Sequence, residues 1–255
     1  MKGFDGLLFL KKLQIPWKTT ILSATHLIFG RGRIDELPSL LPAKGSRILL
    51  AMGGGSIRRI GLYDKLRELI SDYEVFDFSG IEPNPRVSSV NAAAKLAREQ
   101  KADFIVAVGG GSVIDASKAI AAAVKYEGDA WDLVKDGSLI KDALPLFSVL
   151  TLAATGSEYD APGVISNMQT NEKSGDLLSA AFPKASFCDP SVSASVPAWH
   201  TAAGAADIMP HTFEQYLVSE GNDVSDGFCE TILKTVIKNA PIASRTRPIS
   251  RHAPQ

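Results

Sequence analysis

Residues 104 to 123, FIVAVGGGSVIDASKAIAAA, constrain the fold more than any other stretch. Phe104 to Val108 is a short, wholly apolar run of the kind that forms a strand buried on both faces. Gly109, Gly110, Gly111 and Ser112 follow, and then Ile114, Ala116, Ala119, Ile120 and Ala123 recur at helical spacing. Strand, glycine turn and helix together aim free backbone N–H groups and the positive end of a helix dipole at a phosphate. Glycine suits such a turn because a Cβ would obstruct both the bend and the approach of a pyrophosphate. A glycine triplet also serves as a plain tight turn, so its flanks and a second copy must carry the argument.

The second copy lies upstream. Arg47 to Met52, RILLAM, is another buried strand, and Gly53, Gly54, Gly55 and Ser56 follow it. Between the copies come a helix around Leu62 to Ser71, a strand Glu74 to Phe78, a proline-stiffened loop IEPNP (Ile81 to Pro85) and a helix Val87 to Gln100. Before them, Thr25 to Gly32 forms a strand and turn, and Ile34 to Leu41 a short helix. After them, residues 127 to 145 form a surface excursion, and Pro145 to Leu152 a strand that ends in the polar turn Thr151 to Glu158. Pro162 to Met168 and Lys184 to Cys188 are short strands; Val196 to Gly221 and Ser225 to Ala240 are helical. Strands alternating with helices predict an α/β fold, a parallel sheet with helices on both faces. The expected organisation is an extension over 1–24, an α/β domain over 25–190, helices over 191–245 and a tail over 246–255.

Composition narrows the function. The chain has 255 residues, 45% of them hydrophobic, with a formal net charge of −1. Without a long Lys/Arg run, neither nucleic acid nor an anionic membrane is an expected partner. Cys188 and Cys229 sit in no metal or redox spacing, which suits a reducing cytoplasm. The opening MKGFDGLLFLKKL is a poor signal peptide and is expected to be a disordered or misassigned extension.

Ligands of open α/β sheets bind at the carboxyl ends of the strands, where both GGGS turns and the Thr151 to Glu158 turn should converge. The first turn bears on which nucleotide binds. It continues Gly53-Gly-Gly-Ser56-Ile-Arg58-Arg59 and carries no carboxylate to hold a ribose 2′-hydroxyl. Backbone N–H groups, a hydroxyl and two cations would suit a 2′-phosphate, which points to NADP(H) over NAD(H); a solvated helix start explains each arginine equally well. Further on, Asp207 and His211 stand four apart in a helix and share a face. A carboxylate and an imidazole so spaced can hold a divalent cation, or simply hydrogen-bond each other at the surface. Pro210 between them would kink that helix or mark its first turn.

The run FGRG (Phe29 to Gly32), GGGSI with basic residues after it, IEPNP, AVGGGSVIDASKAIA, TLAATGSE, VIS (Val164 to Ser166) and Asp207-xxx-His211-xxx-Gln215-Tyr216 resembles the iron-type (group III) alcohol dehydrogenases. The likeness is to the branch of NADP-dependent aldehyde reductases and butanol dehydrogenases, and it runs from about Thr25 to about Ala240. It implies a Rossmann-like parallel-sheet N-terminal domain followed by the start of an all-helical C-terminal domain, with a metal-bearing cleft between them. By the same resemblance Gly110, Gly111 and Ser112 contact the pyrophosphate, and Gly53 to Ser56 the adenosine 2′-phosphate. Thr151, Thr155 and Ser157 would line the cofactor loop, and Lys173 would reach the ribose. Asp207 and His211 match two of four ligands to Fe²⁺ or Zn²⁺, and a homodimer would pair through an edge strand near Thr25 to Phe29.

Two departures from the family pattern stand out. Its other two ligands are histidines on later helices, and His26, His200 and His252 match neither. The tail TRPISRHAPQ looks like a shifted reading frame or a truncated gene. Asp160 stands where relatives often carry a neutral polar residue, and places a negative charge near the cofactor. The expected activity is hydride transfer between NADP(H) and a small alcohol or aldehyde, impaired by truncation. The alternatives are an inactive NADP-binding remnant and a fragment that needs a partner chain.

Overall fold

The computed structural model describes residues 24–177, 181–219 and 221–245; the expected extension up to residue 23 and the tail 246–255, with His252, lie outside them. The described residues divide into two compact units, Ala24–Pro197 and a second that begins at Ala198.

The first unit carries eight strands: β1 (His26–Phe29), β2 (Arg47–Gly53), β3 (Glu74–Ile81), β4 (Phe104–Gly110), β5 (Leu146–Leu152), β6 (Pro162–Asn167), β7 (Glu172–Leu177) and β8 (Pro183–Cys188). Six of them form one sheet in the order β1-β8-β5-β4-β2-β3, and every neighbouring pair in it is parallel. The helices of this unit are α1 (Leu37–Leu40), α2 (Ser56–Arg59), α3 (Leu62–Leu69), α4 (Val87–Glu99), α5 (Gly111–Ala123), α6 (Ala130–Lys135) and α7 (Pro190–Ser193).

Side chains alternate across a strand, so each central strand feeds two cores. Leu49 and Ala51 of β2, with Ile105 and Ala107 of β4, face α4, α5 and α6. Ile48, Leu50 and Met52, with Phe104, Val106 and Val108, join Ile57, Leu62 and Leu66 on the other side. Burying each Leu, Ile or Phe contributes roughly 1.5–3 kcal/mol, which is why these apolar runs select a sheet covered on both faces. All of α5 except Ser112 is buried, and its alanines let it lie close against the strands.

Two segments differ from the sequence expectation. The excursion over 127–145 contains α6, whose Ala130, Leu133 and Val134 are buried. Asp129 caps it by accepting from Trp131 N at 2.8 Å, and Asn91 Oδ1 accepts from Ala130 N at 3.0 Å. A helix of six residues is too short to show a period in sequence. The strand at Pro162 does not join the main sheet but pairs antiparallel with β7. That partner reads EKSGDL, with no apolar alternation to announce it.

The second unit is a helical pair, α8 (Ala198–Tyr216) and α9 (Asp223–Ala243). Asn222 caps α9 by accepting from Val224 N at 3.1 Å and Ser225 N at 3.0 Å. Helix α8 continues through Pro210. Among the described residues of this unit only Thr212 and Cys229 are buried. Trp199, Leu217, Phe228 and Ile237 are exposed, because two helices alone cannot cover their apolar stripes.

Candidate functional site

Three strand ends meet on one rim because β2, β4 and β5 are consecutive neighbours and all parallel. Ala51 pairs with Ala107 and Met52 with Val108, which sets the two glycine turns side by side. Gly53 closes β2, and Gly55 takes φ 102°, a left-handed conformation that glycine adopts without strain. A Cβ on Gly54 would meet nothing within 4 Å, so this turn opens to solvent. Ser56 begins α2 at the exposed rim.

The second turn is tighter. A Cβ on Gly109 would stand 2.4 Å from Val113 Cγ2, and one on Gly111 would stand 2.3 Å from Thr155 Oγ1. Gly110 would meet Leu152 Cβ at 3.3 Å. Glycine here lets α5 pack on its own strand and lets the loop after β5 close over the helix start. The first N–H groups of α5 have no partner within the helix and point past the end of β4. Thr151 is half-buried at the end of β5, and Thr155 is exposed with its Oγ1 accepting from Ser157 N at 3.2 Å.

Lys173 joins this rim through Asn84. Its Nζ donates to Asn84 Oδ1 at 2.7 Å, and Asn84 N donates to Ser112 Oγ at 3.3 Å. Asn84 sits at φ 54°, a strained conformation that presents both its amide and its side chain to these partners. So Gly53 to Ser56, Gly110 to Ser112, Thr151, Thr155 and Lys173 surround one rim. Ser157 does not open onto it: buried beneath, it donates to Asp115 Oδ1 at 2.5 Å.

Asp115, Lys118 and Asn84 carry roles that the sequence reading missed. Asp115 also accepts from Val164 N at 3.1 Å, which ties α5 to both the loop after β5 and β6. Burial pushes its pKa up, against the Ser157 and Val164 hydrogen bonds that pull it down. Lys118 is fully buried and donates to Asp160 Oδ1 at 2.7 Å and to the Pro162 carbonyl at 2.8 Å. Burial pushes its pKa down, with Asp160 acting in the opposite direction. The expected negative charge of Asp160 is therefore taken up by this ammonium. The signal was in the sequence: a carboxylate and an ammonium three apart inside an otherwise apolar helix need partners.

Arg58, one of two cations assigned to a phosphate, is paired with Asp77, Nη2 to Oδ2 at 3.2 Å. On α8 in the other unit, His211 Nε2 lies 3.6 Å from Asp207 Oδ2, and both side chains are exposed. Among the described residues no group of three or more His, Cys, Asp or Glu is placed to hold a metal ion. Two donors on one helix turn offer part of a coordination shell.

A doubly covered parallel sheet with glycine turns at adjacent strand tips defines an α/β protein whose two turns share the carboxyl rim of the sheet. The sequence fits the family model for iron-containing alcohol dehydrogenases over residues 24–190, and the chain belongs to that family. It is 50% identical over 225 residues to the probable NADH-dependent butanol dehydrogenase 1 of Bacillus subtilis, covering 87% of this chain and 58% of the relative. It is 40% identical over 223 residues to the NADPH-dependent aldehyde reductase YqhD of Escherichia coli, covering 86% and 57%. The solved NADH-dependent butanol dehydrogenase A of Thermotoga maritima superposes with a TM-score of 0.83 at 36% identity, over 88% of this chain and 57% of that one. The chain thus spans a little over half the length of these relatives.

Proposed function

We propose that this chain binds a nicotinamide dinucleotide, NADP(H) in the finer reading, and serves hydride transfer between it and a small alcohol or aldehyde. The observation that carries this is the pair of glycine turns on neighbouring strand tips, one open at Gly54 and one capped by Thr155. In this reading the N–H groups of Gly110, Gly111 and Ser112 receive the pyrophosphate, and Gly53 to Ser56 receive the adenosine ribose and its 2′ substituent. Lys173, held by Asn84, reaches the ribose. Asp115 fastens the Thr151 to Glu158 loop from below through Ser157, and Lys118 fastens the residues just after it through Asp160. A bound nicotinamide supplies the hydride; the protein supplies position and the exclusion of water.

Asp207 and His211 are two donors that this chain would offer to a divalent ion, iron or zinc, which would act as a Lewis acid when bound. Strand β1 closes the sheet with an outer edge on which Leu27 and Phe29 are exposed, which supports pairing of two copies near Thr25 to Phe29. A nicotinamide nucleotide and two unpaired cysteines suit a reducing cytoplasm.

A second reading has a specific observation behind it. The exposed Trp199, Leu217, Phe228 and Ile237 favour a helical pair that is completed by another chain. Loss of NADPH absorbance on adding short aldehydes, with and without Fe²⁺ or Zn²⁺, tests the activity. Turnover supports the dehydrogenase reading; saturable NADPH binding with no turnover under any condition leaves an inactive nucleotide-binding remnant.

A further inference from the structure

Arg58 lies on α2, two residues beyond Ser56, and its guanidinium carbon sits 3.6 Å from the centroid of the Tyr63 ring. Its Nη2 donates to Asp77 Oδ2 at 3.2 Å, and the same oxygen accepts from the Tyr63 hydroxyl at 2.5 Å. Arg67 Nη1 approaches the other carboxylate oxygen at 3.5 Å. Asp77 stands on β3 opposite Leu50 of β2, next to the strand that carries the first glycine turn. One carboxylate therefore gathers a phenol and two guanidinium groups along the flank of the turn that faces the adenosine ribose in the reading above.

We propose that Asp77 sets the preference between the two nicotinamide dinucleotides by holding Arg58 over Tyr63, away from the 2′ position of the ribose. The proposal rests on the nucleotide reading of the rim. A 2′-phosphate gains a charge-assisted hydrogen bond from Arg58 only if the Arg58–Asp77 pair opens, and it must then sit near a carboxylate. A 2′-hydroxyl incurs neither cost. Asp77 thus weakens the hold on the phosphorylated nucleotide, which the first glycine turn still receives, and leaves the other one nearly untouched. The side chains of Arg58 and Asp77 are 50% and 29% exposed, so the pair can open without disturbing the core.

Fluorescence titration of the full 255-residue chain with NADPH and with NADH at one ionic strength reads the effect. Asp77→Asn keeps an acceptor for Tyr63 and removes the charge; NADPH should bind about tenfold more tightly, while NADH changes by less than about twofold. Adding Arg58→Met should erase that gain. An unchanged ratio of the two affinities in Asp77→Asn overturns the proposal, and so does a gain that survives Arg58→Met, which would be a general charge effect. Failure of the underlying reading has a different signature, in which neither nucleotide binds the parent or any variant, and the proposal falls with it.

Discussion

Lys118 Nζ lies 2.7 Å from Asp160 Oδ1, with the lysine side chain wholly buried and that of the aspartate 44% exposed. The two ends of this bond are therefore not equivalent. Asp160→Ala leaves a buried ammonium with the Pro162 carbonyl as its remaining direct hydrogen-bond partner among the described residues and should cost about 2–4 kcal/mol. Lys118→Met leaves a carboxylate that water can reach and should cost roughly 1 kcal/mol or less of electrostatic stability. Urea unfolding of the two variants, followed by tryptophan fluorescence, orders them; equal losses would contradict the asymmetry.

The glycines of the two turns should separate structural from binding effects. Gly109→Ala drives a methyl group into Val113 at 2.4 Å and should lower stability by about 1–3 kcal/mol. Gly54→Ala meets nothing within 4 Å and should unfold at the parent's urea midpoint. Its methyl would stand where the proposed nucleotide approaches, so NADPH affinity should fall at least roughly tenfold.

The fold was legible where each strand is an unbroken apolar run between turn residues, as in RILLAM and FIVAV. Their repetition before identical GGGS turns also foretold that the two turns are neighbours. Strand β7 was not legible, because EKSGDL is polar at most positions and forms only as the antiparallel partner of β6. The buried chemistry was half visible. Asp115 and Lys118 could be seen to share a helix face, but their partners Ser157 and Asp160 lie 42 positions away in each case. Likewise the sequence shows Arg58 beside the first turn, while the carboxylate that claims it comes from the next strand of the sheet.

Cys188 provides a titration test. Burial, with Glu158 nearby, pushes its thiol up to about 11 from an ordinary 9.0. Between those values the native thiol keeps a proton that the unfolded chain has released. The contribution of this group to stability is thus intact below pH 9.0 and falls as pH rises towards about 11. Alkylation by iodoacetamide, mapped to Cys188 by peptide mass spectrometry, should be slow near neutrality and rise with a midpoint near pH 11. Fast labelling at neutral pH would contradict the described environment.

Metal binding by the helical pair should be weak. His211 and Asp207 can contribute two donors from one turn, and Zn²⁺ so held should be stripped readily by citrate. Titration calorimetry should show that His211→Ala removes the binding. Tight binding that persists in this variant would place the donors elsewhere.

In the function proposed above, the open glycine turn at Gly54 and the capped one at Gly111 together receive one nicotinamide dinucleotide. Titrating the chain with NADPH, and beside it the Gly54→Leu variant, tests this most directly. Saturable binding at one nucleotide per chain is expected for the parent, with loss of that binding in the folded variant. Equal affinity in both, or no binding by the parent, would contradict it.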